Sequence, residues 1–303
     1  MHTSVLLNES IEYLNLKEDS IIVDCTLGYG GHSYNILKNI PKGFLYAFDQ
    51  DKEAIREARK RLEGAGLNFE IINTNFKNIK EIISEKTDKV DGILFDLGVS
   101  SPQLDNAERG FSFHKDAPLD MRMNRDDKLS AYEVVNNYSY EELVDIFYKY
   151  GEEKYSSSIA KAIVSYRNNK KIETTLELAE IIKNAVPEKY RRMGHPARKV
   201  FQAIRIEVNR ELEVFEKALR DALEIISPGG RICVITFHSL EDKLCKSIFN
   251  EVSKVPKELR DLPIIPLEYQ PKYKVIANIA PSKEEIENNK RARSARLRVI
   301  ERG

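Results

Sequence analysis

The sequence predicts an α/β protein, a Rossmann-like sheet of mainly parallel strands with an inserted helical domain. Three observations carry that expectation. Four short apolar runs between residues 20 and 96 alternate with stretches of helical period, the pattern of βαβ units. A cluster of glycines, Gly28, Gly30 and Gly31, follows the first run directly. After Asp96 the alternation stops, and "RICVITF" at residues 231–237 restores it.

Each element has a local reason. "SIIVDC" reads as a buried strand that ends at Asp24, followed by the glycine loop and a helix over residues 33–40. "GFLYAFD" is a second strand after the Pro41-Lys42-Gly43 turn. Asp51 is placed to cap a helix whose Ile55, Ala58 and Leu62 share one face, and Gly64 and Gly66 end it. "LNFEIIN" is the third strand, residues 77–86 a third helix, and "VDGILFD" the fourth strand.

Residues 97–128 lack a clear period, yet Phe111, Phe113, Leu119 and Met121 make them too apolar for a disordered linker. A helical region follows over residues 130–194, with starts expected at Ser130, Ser139 and Thr174. "HPARKVFQAIRIEVNRELEVFEKALRDALEIISPGG" reads as one long helix, with Pro196 in its first turn and Pro228-Gly229-Gly230 at its end. Its buried stripe is Val200, Phe201, Ile204, Val208, Leu212, Phe215, Leu219 and Leu223. A Pro-rich connection, "VPKELRDLPIIPLEYQPKY", leads to "YKVIANI" and "ARLRVIE", an antiparallel pair on the sheet edge. The expected division is a sheet domain in two parts, 1–104 and 196–303, with a mostly helical insert and its leading loop at 105–195.

Over 303 residues, 42% hydrophobic and 32% charged content describes an ordinary soluble protein with enough apolar residues for a core. The N-terminus has neither a basic region nor a long apolar run, so no signal peptide is expected. No segment approaches the roughly 18 to 20 apolar residues that span a membrane. Cys25, Cys233 and Cys245 are far apart without CxxC spacing, which argues against disulfides and a zinc site and fits a reducing cytoplasm. The five histidines show no HExxH spacing, so no metal is expected. The net charge of zero weighs mildly against a nucleic-acid binder, whose contacts would then rest on local patches.

Ligands of such sheets bind beyond the carboxyl ends of the strands. Those ends here carry the glycine loop, then Asp49 with Asp51 two residues on, and Asp96. A dinucleotide fingerprint needs G-x-G-x-x-G with an acid about 20 residues further on. Gly28 and Gly30 fit its first two positions and Asp49 fits the acid, but Ser33 stands at the third. Polar residues at several strand ends favour S-adenosylmethionine, which has no phosphate, while a mere tight turn is the plainer account of the glycines.

The stretches "HTSVLLNE", "DCTLGYGGHS", "FDLGVSSPQLDNAERGFSFHKDAPLDMRM", "HPARKVFQAIRIEVNREL", "PGGRICVITFHSLED" and "NKRARSARLRV" closely resemble the bacterial small-subunit ribosomal RNA methyltransferase H family, in order from His2 to Arg302. The resemblance implies an S-adenosylmethionine-dependent methyltransferase sheet with an inserted substrate-recognition domain. It further implies a cytoplasmic rRNA (cytosine-N4)-methyltransferase acting on a decoding-region, P-site cytidine of 16S rRNA within the small ribosomal subunit. A homodimer is compatible with it. By position, the family's cofactor contacts fall on Gly30, Gly31, His32, Asp49, Phe76, Asp96 and Gln103. For His32 a helix-capping role and a ligand contact both stay open.

Many amino-methyltransferases place an Asp/Asn/Ser-Pro-Pro-aromatic motif after the fourth strand, to hold the exocyclic amine and stack its base. Here that segment is Asp96-Leu97-Gly98-Val99-Ser100-Ser101-Pro102. Asp96 becomes the candidate catalytic acceptor, with Phe111, Phe113 and Phe237 as stacking candidates whose commoner fate is packing. No G-x-S-x-G nucleophile elbow exists, so His238 is not read as a hydrolase histidine. Arg198, Arg205, His238, Arg291 and Arg293 are the candidate RNA contacts. The first two share a polar helix face with Gln202 and Asn209; Arg191 and Arg192 precede it, and Lys290, Arg296 and Arg298 crowd the C-terminal end. Two competing readings are a nicotinamide-dependent oxidoreductase on the same sheet and a non-catalytic RNA-binding factor with a relic pocket.

Overall fold

Strand β1 (Ile21–Asp24) lies at the centre of the sheet because Ile22 and Val23 bury both of its faces. Full burial of such side chains contributes about 1.5–3 kcal/mol each. It pairs in parallel with β2 (Phe44–Asp49) on one side and β4 (Val90–Asp96) on the other, and β3 (Phe69–Asn73) continues beyond β2. β5 (Ile226–Thr236) extends the parallel sheet beyond β4. β6 (Tyr273–Ile279) and β7 (Arg296–Arg302) close it as the expected antiparallel pair, giving the order β3-β2-β1-β4-β5-β7-β6. The computed structural model describes residues 4–192, 194–259 and 263–303, so part of the Pro-rich connection lies outside the described residues.

Strand order reverses between β1 and β4, which opens a crevice at their carboxyl ends. β1, β2 and β4 all finish there on aspartate. Asp51 caps the helix Lys52–Glu63 as expected, accepting from the N–H groups of Glu53 and Ala54. The helix Leu7–Tyr13, which the sequence reading missed, follows a left-handed Leu6.

The chain divides into two compact units, residues 1–98 with 212–303, and residues 99–211. These limits differ from the expected 105 and 195 for a physical reason at each end. Ser100 and Gln103 form a capping box that starts the helix Ser101–Asp105 inside the aperiodic stretch. At the other end the expected long helix is broken. The helix Ala197–Asn209 stops at Arg210, which is left-handed (φ 50°), and Glu211–Ile225 begins after it. Val200, Phe201, Ile204 and Val208 join the core of the helical unit, whereas Phe215, Leu219 and Leu223 join that of the sheet unit. The apolar stripe runs without a gap through the break, so periodicity could not reveal it.

Inside the helical unit, Ser139 and Thr174 cap their helices as expected, accepting from the N–H groups of Glu142 and Glu177. The helix Ser156–Arg167 has no side-chain cap and so left no local signal. The long loop is anchored rather than free. Phe111, Leu119 and Met121 are buried in the helical core, and Arg109 donates to the carbonyls of Arg122 (3.0 Å) and Met123 (3.1 Å).

Candidate functional site

The glycine loop is built around Asp24, which is buried at the end of β1. Its Oδ2 accepts from Ser33 Oγ at 2.6 Å and its Oδ1 from the Thr26 N–H at 3.0 Å. Ser33, at the position where a dinucleotide fingerprint needs glycine, is therefore a hydroxyl that ties the helix Gly31–Asn39 to the strand. Thr26 Oγ1 accepts from the Asp96 N–H at 2.7 Å and joins the ends of β1 and β4.

The glycines answer first to the protein's own packing. Gly30, at φ +75°, is the N-cap of the helix, and a Cβ there would sit 3.3 Å from Ala58 Cβ. A Cβ on Gly31 would fall 1.9 Å from Ser4 Oγ. Both positions thus meet a packing demand of the fold, beside the tight turn and the ligand approach that the sequence suggests.

Asp49 bridges the loop and the next helix. Its Oδ2 accepts from the Gly28 N–H at 2.7 Å and its Oδ1 from the Asp51 N–H at 2.8 Å. Burial raises its pKa to about 6 against the pull of those two donors. Each oxygen keeps a further lone pair for a hydroxyl donor. Phe76, in the turn after β3, is half-buried and packs edge-on to Phe95 with ring centroids 5.7 Å apart.

Asp96 carries the site's orphan. Its Oδ1 is buried without a hydrogen-bond partner among the described residues, and its Oδ2 lies 3.4 Å from His32 Nδ1. Burial, then the nearby Asp24 and Glu241 carboxylates, push its pKa well up. His32 is not the helix cap; its Nε2 lies 3.1 Å from the Val5 carbonyl. With both ring nitrogens facing protein groups, the side chain is committed to a position. Burial lowers its pKa to about 4.

The structure brings Gly30, Gly31, His32, Asp49, Phe76 and Asp96 together around the carboxyl ends of β1–β4 in the sheet unit. Gln103 belongs to the helical unit, where its Oε1 accepts from the Ser100 N–H at 3.0 Å. Asp24, Thr26 and Ser33 were missed as parts of the site. The serine at the third fingerprint position was the signal that could have found Ser33.

The candidate RNA contacts separate into committed and exposed groups. Arg205 forms a two-pronged pair with Glu211, at 2.8 and 2.9 Å. On the same helix Gln202 donates to the Tyr150 carbonyl, and Asn209 bonds the backbone of Met121 and Met123. That face is largely internal structure, not a free RNA-facing stripe. His238 caps the helix Ser239–Ser253 in a reciprocal box with Glu241. Arg298 pairs with Asp242, and Arg296 with Asn278. Arg198, Arg291 and Arg293 are exposed. Among the stacking candidates, Phe111 is buried and Phe113 stacks on His195 with centroids 4.6 Å apart.

The chain is similar to known proteins. A family model described as the MraW methylase family matches residues 1–303. Among solved structures, an rRNA methylase from Streptococcus thermophilus is 12% identical, with TM-score 0.47 and coverage of 100% of this chain and 99% of that one. A putative rRNA methylase from Clostridium thermocellum is 14% identical, with TM-score 0.47 and full coverage of both chains. A putative methyltransferase from Streptococcus mutans, solved with SAH, is 13% identical, with TM-score 0.46 and full coverage of both.

Proposed function

Because the chain belongs to the MraW methylase family, as an S-adenosylmethionine-dependent rRNA methyltransferase, we propose that its acceptor is N4 of a P-site cytidine in the 16S rRNA of the small ribosomal subunit. The observation that carries this reading is the orphan Oδ1 of Asp96, a buried acceptor at the carboxyl end of β4 with no partner among the described residues. An exocyclic amine offers the matching donors.

The residues present fit the cofactor. Asp24, Asp49 and Asp96 place three acidic side chains at the crevice, whose acceptor oxygens suit a ligand rich in hydroxyl donors better than a pyrophosphate, which offers only acceptors. That favours a phosphate-free adenosine cofactor over a nicotinamide dinucleotide. Asp49 would accept from the ribose hydroxyls, Phe76 would pack on adenine, and the backbone at Gly30 and Gly31 would lie along the methionine portion. Gln103 keeps its family assignment as a contact.

When bound, S-adenosylmethionine supplies a methyl group on a positively charged sulfur. An aryl amine is a weak nucleophile because its lone pair is delocalised into the ring. Asp96 Oδ1, by accepting an N–H, favours the pyramidal nitrogen whose pair is free. That pair would take up the methyl group as the bonding pair stays with the donor's sulfur, and the nitrogen would then lose one proton to water, with Asp96 holding the amine in place. Orientation supplies most of the rate, since the displacement must be in line. Arg198, Arg291 and Arg293 are the exposed cations proposed for phosphate contacts, with Arg205 and His238 acting indirectly through the elements they fasten. No helix among the described residues is long and apolar enough to cross a membrane, and we place the reaction in the cytoplasm with its ribosomal substrate.

The test is incubation with labelled S-adenosylmethionine and unmethylated small subunits, followed by nuclease digestion and mass spectrometry. N4-methylcytidine is the expected product. Its absence with a folded, cofactor-binding enzyme would refute the proposal.

A further inference from the structure

The ring of His32 has a determinate hydrogen-bond pattern. A carbonyl can only accept, so the Val5 carbonyl 3.1 Å away requires the proton on Nε2. A neutral ring then turns the bare lone pair of Nδ1 towards Asp96 Oδ2 at 3.4 Å. Two bare acceptors at that distance repel, and a further proton between them would relieve the repulsion. Asp24 and Glu241 are the other carboxylates that act on Asp96, and the Asp96 N–H is already given to Thr26 Oγ1.

We propose that His32 is a positioning residue for methyl transfer: held by Val5, its Nδ1 accepts a hydrogen bond from a proton kept on Asp96 Oδ2 and thereby keeps Oδ1 an acceptor for the substrate amine. This rests on the reading above, in which Asp96 faces that amine. Burial favours the same arrangement, since it lowers the His32 pKa and raises that of Asp96. A protonated carboxyl without His32 could place its proton on either oxygen. With the proton on Oδ1, a donor would meet the donors of the amine, and the lone pair would stay delocalised. The histidine thus acts through the carboxyl group and needs no contact with either substrate.

Two substitutions separate this role from a structural one. The amide of His32→Gln reaches the place of Nε2, keeping the Val5 contact and losing Asp96. His32→Asn places its amide near Nδ1, keeping Asp96 and losing Val5. The expected result for H32Q is a kcat lowered roughly 10–100-fold with little change in the KM for RNA. Its kcat should also rise more steeply with pH than that of the wild type, because deprotonating Asp96 restores Oδ1 as an acceptor. H32N should retain more of kcat than H32Q. Nitrogen-15 imidazole spectra of the free enzyme should show a neutral His32 protonated on Nε2, with a Nδ1 shift that changes in Asp96→Asn. Wild-type kcat and pH profile in H32Q would overturn the proposal, as would equal losses in both variants without a changed pH profile. A charged ring or a Nδ1–H tautomer would overturn it irrespective of substrate. Failure of the wild type to form N4-methylcytidine would instead refute the acceptor reading, while the spectra still decide the proton's place.

Discussion

Asp49 sets burial against hydrogen bonding, and the balance can be measured as stability against pH. Two backbone N–H groups, from Gly28 and Asp51, favour the carboxylate, yet desolvation outweighs them and raises the pKa from 3.8 to about 6. The folded state then binds more protons than the unfolded state between those two values. Stability from this group is present below pH 3.8 and is lost as pH rises through 6. The rise corresponds to at most about 3 kcal/mol, at roughly 1.4 kcal/mol per pH unit. Asp49→Asn removes the titration. It leaves one backbone N–H without its acceptor, which costs about 1–3 kcal/mol at every pH. The absolute stabilities therefore matter less than their difference. Urea unfolding followed by circular dichroism between pH 4 and pH 7 should show the wild type losing up to about 3 kcal/mol relative to Asp49→Asn. Cofactor affinity of the wild type should rise over the same interval, because the ionised group accepts more strongly from hydroxyls. A flat difference would mean that the two donors cancel burial, and one that rises with pH that they outweigh it; either way the reasoning would fail.

Four further substitutions have distinct expected outcomes. Ser33→Ala removes the 2.6 Å hydrogen bond to buried Asp24 and should cost about 1–3 kcal/mol in a denaturant titration. Gly31→Ala should destabilise the protein by pressing its Cβ onto Ser4 Oγ, and the double variant with Ser4→Gly should recover most of the loss in thermal melting. Arg293→Ala should weaken binding to small subunits, with an altered salt dependence and an unchanged melting temperature. Arg205→Ala should instead lower the melting temperature, since it strips Glu211 of its two-pronged partner. Identical responses in the two arginine variants would contradict the separation of exposed and committed groups.

The local signals in the sequence are those whose partners lie close by in the chain. Asp51, Ser139 and Thr174 announce helix starts because a cap bonds an N–H only two or three residues on. The apolar runs of β1 and β4 announce strands because burial on both faces demands them. Arg205 and Asn209 looked like a free polar face for the opposite reason. Their partners, Glu211 and the Met121 and Met123 backbone, come from chain reversals that periodicity does not encode. The family motifs named the residues of the site without the contacts that hold them.

The sequence by itself determined the alternating sheet, the aspartates that end its strands and the family of the chain. These depend on residue type and short-range spacing, which a linear chain displays directly. Only the tertiary structure decided that the long helix breaks at Arg210, that Gly31 makes room for Ser4, and that His32 joins Val5 to Asp96. Each of those outcomes depends on which distant segment the folded chain brings within a few ångströms, and that is fixed by the packing of whole elements.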